Sequence, residues 1–147
     1  MSGEGSLETE VVAPINMAVI KYWGKRDVDA MLPLNDSIST TLDALNARTK
    51  VKVLSGGSDG DRLTVNGESV DIQPDSRIHK VLCLLRKMLA QETDQTSPFS
   101  LLMSSETNFP TSAGLASSAA GFAALAFAFG QLFTLQPEQV STLARTG

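Results

Sequence analysis

Asn108-Phe109-Pro110-Thr111-Ser112-Ala113-Gly114-Leu115-Ala116-Ser117-Ser118-Ala119-Ala120-Gly121 is the stretch on which the reading of the fold turns. Pro110 ends the strand before it, because its nitrogen has no hydrogen to give to a ladder. Gly114 permits backbone angles that a side chain would obstruct. Ala113, Ala116 and Ala119 keep the surface low, so that a ligand can approach the main chain. Ser112, Ser117 and Ser118 supply hydroxyls where a helix begins. The first turn of a helix carries unpaired N–H groups and partial positive charge, which favour a phosphate. No Gly-Lys-Ser/Thr follows the glycine, so this is not the common P-loop. A capped core helix packed through alanines and glycines has the same composition, and the loop needs corroboration.

Downstream, a small-residue helix is expected from about Ala113 to Leu132, then a short helix opened by Pro137. Upstream, Phe99–Met103 reads as a strand and Ser104–Ser112 as a loop. Over Arg77–Ala90 the apolar residues Ile78, Val81, Leu82, Leu85, Met88 and Leu89 recur at the spacing of one helix face. Asp75 or Ser76 can cap that helix. Arg62–Val65 and Glu68–Ile72 flank Asn66-Gly67, a strong hairpin signal. Ser55–Asp61 reads as a solvated hairpin loop. Arg48–Leu54 alternates like a half-buried strand, and Leu34–Leu42 favours an extended, hydroxyl-lined segment. A turn falls near Arg26–Asp29. Val11–Trp23 suits a strand that tolerates Pro14 near its start or at an edge. Strands first, helices after and a hairpin among the strands predict an α+β domain, with helices layered on a mostly antiparallel or mixed sheet. Residues 1–10 read as a flexible lead-in and 11–147 as the domain, whose ending looks abrupt.

At 147 residues, 42% hydrophobic and 19% charged, the chain can bury a core as one domain. The net charge of −4 is scattered, which argues against a nucleic-acid partner. The single cysteine, Cys83, excludes a disulfide framework and a cysteine-based metal site, and a reducing compartment is the simpler reading. No apolar run is long enough to span a bilayer. Met1–Glu10 holds three glutamates and no basic residue, unlike a signal peptide or presequence.

A second constellation is Ile20-Lys21-Tyr22-Trp23-Gly24-Lys25-Arg26-Asp27. It sets three cations beside the only Tyr and the only Trp, which suits a substrate bearing phosphates. An edge strand guarded by lysines is the plainer alternative. Together with the 108–121 loop and Leu32-Pro33-Leu34-Asn35-Asp36-Ser37-Ile38-Ser39, this run resembles diphosphomevalonate decarboxylases. These belong to the superfamily of galactokinase, homoserine kinase, mevalonate kinase and phosphomevalonate kinase (GHMP). The superfamily's kinases usually have glycine where this loop has Ala116 and lack the Lys-Tyr-Trp-Gly-Lys run, so the likeness is to the decarboxylase branch. A mevalonate or phosphomevalonate kinase is the first rival reading, and a non-catalytic binding fragment the second.

The resemblance implies an amino-terminal GHMP-type domain, its phosphate loop leading into a long helix. It further implies ATP-dependent decarboxylation of diphosphomevalonate to isopentenyl diphosphate, with ATP and Mg²⁺. Lys21 is expected beside the transferring phosphate or the tertiary hydroxyl. Tyr22, Trp23, Gly24, Lys25 and Arg77 are expected on the substrate. Ser105, Asn108, Pro110, Thr111, Ser112, Ala113, Gly114, Leu115, Ala116, Ser117, Ser118 and Ala119 are expected around the nucleotide, with Ser117 and Ser118 helping to seat Mg²⁺. The family's catalytic aspartate, its serine-and-arginine loop and a carboxy-terminal domain are expected downstream of Gly147. Asp27, Asp29, Asp36 and Asp43 do not match that aspartate. A cytoplasmic homodimer is implied for the complete protein, with the peroxisome as an alternative location and no membrane partner. His79 reads as a packing or surface residue without a partner. Cys83 reads as an inert thiol without a basic neighbour, and the methionines as core filler.

Substituting Gly114→Val is expected to weaken ATP binding, because a stiff branched side chain would block the approach of phosphate to the backbone. Titration of ATP into the folded variant checks this, and unchanged affinity would return the loop to a capped core helix.

Overall fold

The computed structural model describes residues 7–56, 59–92, 98–110 and 117–147. Strands β1 (Glu8–Ile20), β4 (Ile38–Ser55), β5 (Arg62–Val65), β6 (Glu68–Val70) and β7 (Phe99–Thr107) form a five-stranded sheet in the order β1-β4-β7-β5-β6. Between β1 and β4, β2 (Lys25–Asp27) and β3 (Leu32–Pro33) make a small separate hairpin. Helices α1 (Arg77–Glu92), α2 (Ser117–Phe133) and α3 (Pro137–Thr146) complete the elements. All pairings in the large sheet are antiparallel except β5 with β7, so the sheet is mixed and the α+β expectation holds.

The sheet has one apolar and one charged face because strand side chains alternate. Val51, Leu101 and Met103 join Ile78, Val81, Leu82 and Leu85 of α1, Leu125, Ala126, Ala128 and Phe129 of α2, and Leu143 of α3 in one buried cluster. The intervening residues carry Glu8, Glu10, Arg48, Lys50 and Lys52 on the opposite face. There Glu10 pairs with Arg48 at 2.5 Å and Glu8 with Lys50 at 2.9 Å. Lys50 holds the Glu8 carboxyl below its ordinary value, and Glu8 in turn raises Lys50. The Glu8 contribution is therefore present above about pH 4.5 and fades as pH falls through its lowered value. Both groups are solvent-exposed, so the pair adds little.

Several boundaries differ from those expected, each for a physical reason. Glu8–Glu10 belong to β1 rather than to the lead-in, since they pair with Val51 and its lysine neighbours. The two segments Leu34–Leu42 and Arg48–Leu54 are largely one strand, β4, interrupted where Pro14 faces Asn46 and Ile15 faces Leu42. The three unmatched residues Asp43–Leu45 form a bulge that changes the strand's direction. Pro14 sits at that irregularity on an edge strand, where it displaces no ladder bond. β7 continues through Ser104–Thr107, expected as loop, because β4 and β5 both supply ladder partners there. Ser55–Asp61 is not a hairpin loop, since β7 lies between β4 and β5. The Asn66-Gly67 hairpin is present, with φ of 50° and 82° as a two-residue primed turn requires. Ser76 caps α1 by accepting the His79 N–H at 3.2 Å.

Where β5 begins late, β7 finds another partner. The Asp61 carboxylate accepts both the Leu101 N–H at 3.0 Å and the Arg86 guanidinium at 2.8 Å, tying α1 to the sheet. Asp61→Ala leaves a half-buried N–H and a guanidinium without their acceptor. It is expected to cost about 1.5–3 kcal/mol, measured by urea unfolding, whereas Glu8→Gln is expected to change the midpoint hardly at all.

Candidate functional site

The small side chains of α2 let it lie close to the sheet, and its first turns roof a cavity of about 220 Å³. The floor is the odd-numbered face of β4, β7 and β5. Val11, Thr49, Ser105 and Val65 stand side by side across the ladder there. Leu63, Ile78, Phe122 and Leu125 supply apolar wall, while Thr107, Ser117 and Ser118 bring hydroxyls to the rim. The Thr49 and Ser105 hydroxyls lie 3.0 Å apart, one donating to the other. Gly121 also faces the cavity, where an added Cβ would lie at an ordinary 3.6 Å from Ser105 Oγ.

The strand end that leads to this cavity is tied on both sides. On one side Asn66 Oδ1 accepts the Thr107 N–H at 2.9 Å, and the Asn66 N–H donates to the Ser105 carbonyl at 2.8 Å. On the other, Asn108 Nδ2 donates to the Ala44 carbonyl and its Oδ1 accepts the Asn46 N–H, both at 2.8 Å. Next in the chain, Phe109 is buried with Ile15, Ala47 and Ala120. Pro110 is exposed, Ser117 half-buried, and Ser118 and Ala119 exposed at the start of α2. Thr111, Ser112, Ala113, Gly114, Leu115 and Ala116, expected around the nucleotide, lie outside the described residues.

The cationic run forms a second part. Beyond the bulge, β1 and the start of β4 continue as a two-stranded ribbon that β7 does not follow. Lys21 to Gly24 lead from that ribbon into the β2–β3 hairpin. Lys21, Tyr22, Trp23 and Lys25 are all exposed, Trp23 at 90%. Among the described residues no carboxylate lies within ion-pairing distance of the Lys21 ammonium, and Lys25 Nζ donates to Met31 Sδ at 3.0 Å. The loop is held by Ser37 Oγ donating to the Ile20 carbonyl at 2.7 Å and Leu34 N–H donating to the Gly24 carbonyl at 2.9 Å. Gly24 lies under Leu34, whose Cδ1 would be 2.6 Å from an added Cβ. Lys21 is six residues beyond Ile15, which is buried with Ala120 of α2, so it stands at most about 20 Å along the strand from Ile15. Val19, Ile20, Val28, Leu34 and Ile38 expose apolar surface on the same part of the chain.

Arg77 is placed against the cavity wall. Its guanidinium lies 5.3 Å from the Phe122 ring centroid, and Nη1 donates to the Gly147 carbonyl at 2.9 Å. Sequence reasoning missed Thr49, Thr107, Asn66 and Phe122 as lining or supporting residues. Only the pairing register reveals the first two. It also missed that Cys83 lies one helical turn from His79, with Sγ 3.6 Å from Nε2, so neither residue lacks a neighbour. Among the described residues no three His, Cys, Asp or Glu side chains gather into a metal site. No described helix is long and apolar enough to cross a membrane.

Residues 13–147 match the family model described as diphosphomevalonate decarboxylase-like N-terminal domain. The chain belongs to this family. As a decarboxylase-like N-terminal domain it is 45% identical to the diphosphomevalonate decarboxylase of Gibberella zeae, all of this chain aligning with 41% of that protein. The crystal structure of mevalonate diphosphate decarboxylase from Staphylococcus aureus superposes with a TM-score of 0.80 at 35% identity. It covers 97% of this chain and 42% of that one. A further structure, described as a complex with MVAPP, AMPPCP and magnesium, superposes at 0.77 with 33% identity, covering 97% of this chain and 42% of that one. The domain thus spans about two fifths of the length of these relatives.

Two helix glycines separate packing from access. At Gly130 an added Cβ would lie 2.6 Å from Val140 Cγ2, so that glycine serves the contact of α2 with α3. Gly121 has room for a methyl group. Gly121→Ala is expected to stabilise the fold by about 0.5–1 kcal/mol through helix propensity, read as a raised Tm, while intruding on the cavity and weakening ATP binding. Gly130→Ala is expected to lower Tm.

Proposed function

We propose that this domain holds ATP and recognises diphosphomevalonate in an ATP-dependent decarboxylase that forms isopentenyl diphosphate. The observation that carries the reading is the cavity at the first turn of α2, walled by apolar side chains and rimmed by hydroxyls, in a chain of this family. An apolar slot beside a helix N-terminus fits a nucleotide, because the base is flat and apolar while its phosphates seek N–H donors. Ser105 lines that slot, Asn108 and Pro110 lead from it, and residues 111–116 with Ser117, Ser118 and Ala119 complete the assignment around the phosphates. Ser117 and Ser118 offer the hard oxygen donors that Mg²⁺ takes, and the ion would neutralise phosphate charge when bound.

The Lys21–Lys25 run supplies the substrate end. Tyr22, Trp23, Gly24 and Lys25 are assigned to diphosphomevalonate, Tyr22 and Lys25 nearest its phosphates. Arg77 is assigned to its diphosphate as well, which requires the guanidinium to leave the Gly147 carbonyl. The Lys21 ammonium, with no carboxylate beside it among the described residues, is suited to the phosphate as it moves to the tertiary hydroxyl. The logic of the reaction is that hydroxide is a poor leaving group and phosphate a good one. Loss of phosphate leaves positive character on carbon, and the carboxylate carbon–carbon bond supplies the electrons. Positioning and charge neutralisation are what the protein must provide for phosphoryl transfer. No carboxylate of Met1–Gly147 is assigned as general base. The complete protein is assigned to the cytoplasm, as a homodimer.

Placed in a polypeptide of the relatives' length, the domain is expected to release labelled carbon dioxide from diphosphomevalonate with ATP and Mg²⁺. Lys21→Ala should then lower turnover about a hundred- to a thousandfold with Tm nearly unchanged. Wild-type turnover in that variant would remove Lys21 from the reaction. The 147-residue chain alone is expected to give no sustained release, and turnover near that of a relative would show that a base lies within it.

A further inference from the structure

Asn108 joins the two parts of the proposed site, and the inference drawn from it rests on that functional reading. β4 pairs with β7 as far as Ala47 opposite Thr107. The next rung is irregular. The Asn108 N–H still donates to the Asn46 carbonyl, at 3.2 Å, but the bulge Asp43–Leu45 leaves the neighbouring backbone groups without strand partners. The Asn108 side chain meets them with a donor and an acceptor at once, Nδ2 to the Ala44 carbonyl and Oδ1 from the Asn46 N–H. A carboxamide alone among the short side chains offers both functions from one planar group.

The bulge aims the ribbon. Every residue from Ile38 to Leu42 and from Ile15 to Ile20 follows from the direction in which β4 leaves it, and Lys21–Lys25 follow in turn. On its other side Asn108 is followed directly by buried Phe109 and exposed Pro110, which lead into the phosphate loop. One side chain therefore holds the base of the cationic ribbon and the root of the loop in a fixed relation. We infer that Asn108 is a positioning residue that sets the angle between the nucleotide and substrate parts of the site, acting through the β4 bulge rather than as a nucleotide ligand.

The inference separates from direct contact by which ligand is lost. In the 147-residue chain, MgATP binding is measured by calorimetry, and diphosphomevalonate binding by the emission of Trp23, the only tryptophan and almost fully exposed. Asn108→Ala is expected to weaken both ligands about three- to tenfold, the effect of one or two exposed hydrogen bonds. In the same variant hydrogen exchange should quicken at the Asn46 amide while the core amide of Val51 stays protected. If Val51 also loses protection, Asn108→Asp, which keeps the acceptor for Asn46, is titrated in its place against the same criteria. Loss of ATP affinity alone would make Asn108 a nucleotide contact and overturn the inference. Two unchanged affinities with a lowered Tm would reduce it to a structural residue and overturn it equally. A wild-type chain that binds neither ligand would instead sink the functional reading, and the inference with it.

Discussion

The close approach of α2 to the sheet is the contact on which the rest depends. Ala120, Ala124 and Ala128 recur at four-residue spacing and are essentially buried, so no bulky side chain holds the helix off β1 and β4. Larger residues on the neighbouring stripe, Leu125 and Phe129, fill the space toward α1 and α3. The arrangement brings the first turns of α2 over the end of β7, where Ser117, Ser118 and Gly121 line a cavity floored by Thr49 and Ser105. A helix lifted by larger side chains would keep its dipole but lose the floor beneath it. The same packing that stabilises the domain thereby shapes the cavity to which the proposed function assigns the nucleotide.

Much of this was legible in residue order because the signals are local. The α1 stripe follows from helical periodicity, and Ile78, Val81, Leu82 and Leu85 are all buried. The Asn66-Gly67 turn follows from the positive φ values that only such residues accept readily. The lysine run and the Pro110–Ala119 stretch stood out through composition and through likeness to a family. Register was not legible. Nothing in Ser104–Thr107 alone marks it as strand, since its partners lie some fifty residues upstream in β4 and forty in β5. The bulge at Asp43–Leu45 and the asparagine that satisfies it are visible only once β1, β4 and β7 are aligned.

The two parts of the site differ in how they are held. The cavity is set into the packed core, with Phe122 fixed beneath Arg77 and Phe109 locked among Ile15, Ala47 and Ala120. The ribbon and the β2–β3 hairpin stand on one side of that core, joined through β1, β4 and a few main-chain bonds, and they expose several large apolar side chains. Such a surface is uncommon on a lone soluble domain and is ordinarily met by another surface. That contrast sets a cavity built into the core beside a ribbon that leaves its apolar side chains exposed.

The claim that the start of α2 is the nucleotide end is tested most directly by hydrogen–deuterium exchange of the chain with and without MgATP. The account predicts slowed exchange in peptides covering Ser105–Gly121, with little change at Val19–Ile38 until diphosphomevalonate is added. Slowed exchange confined to Val19–Ile38, or none anywhere at saturating nucleotide, would contradict it.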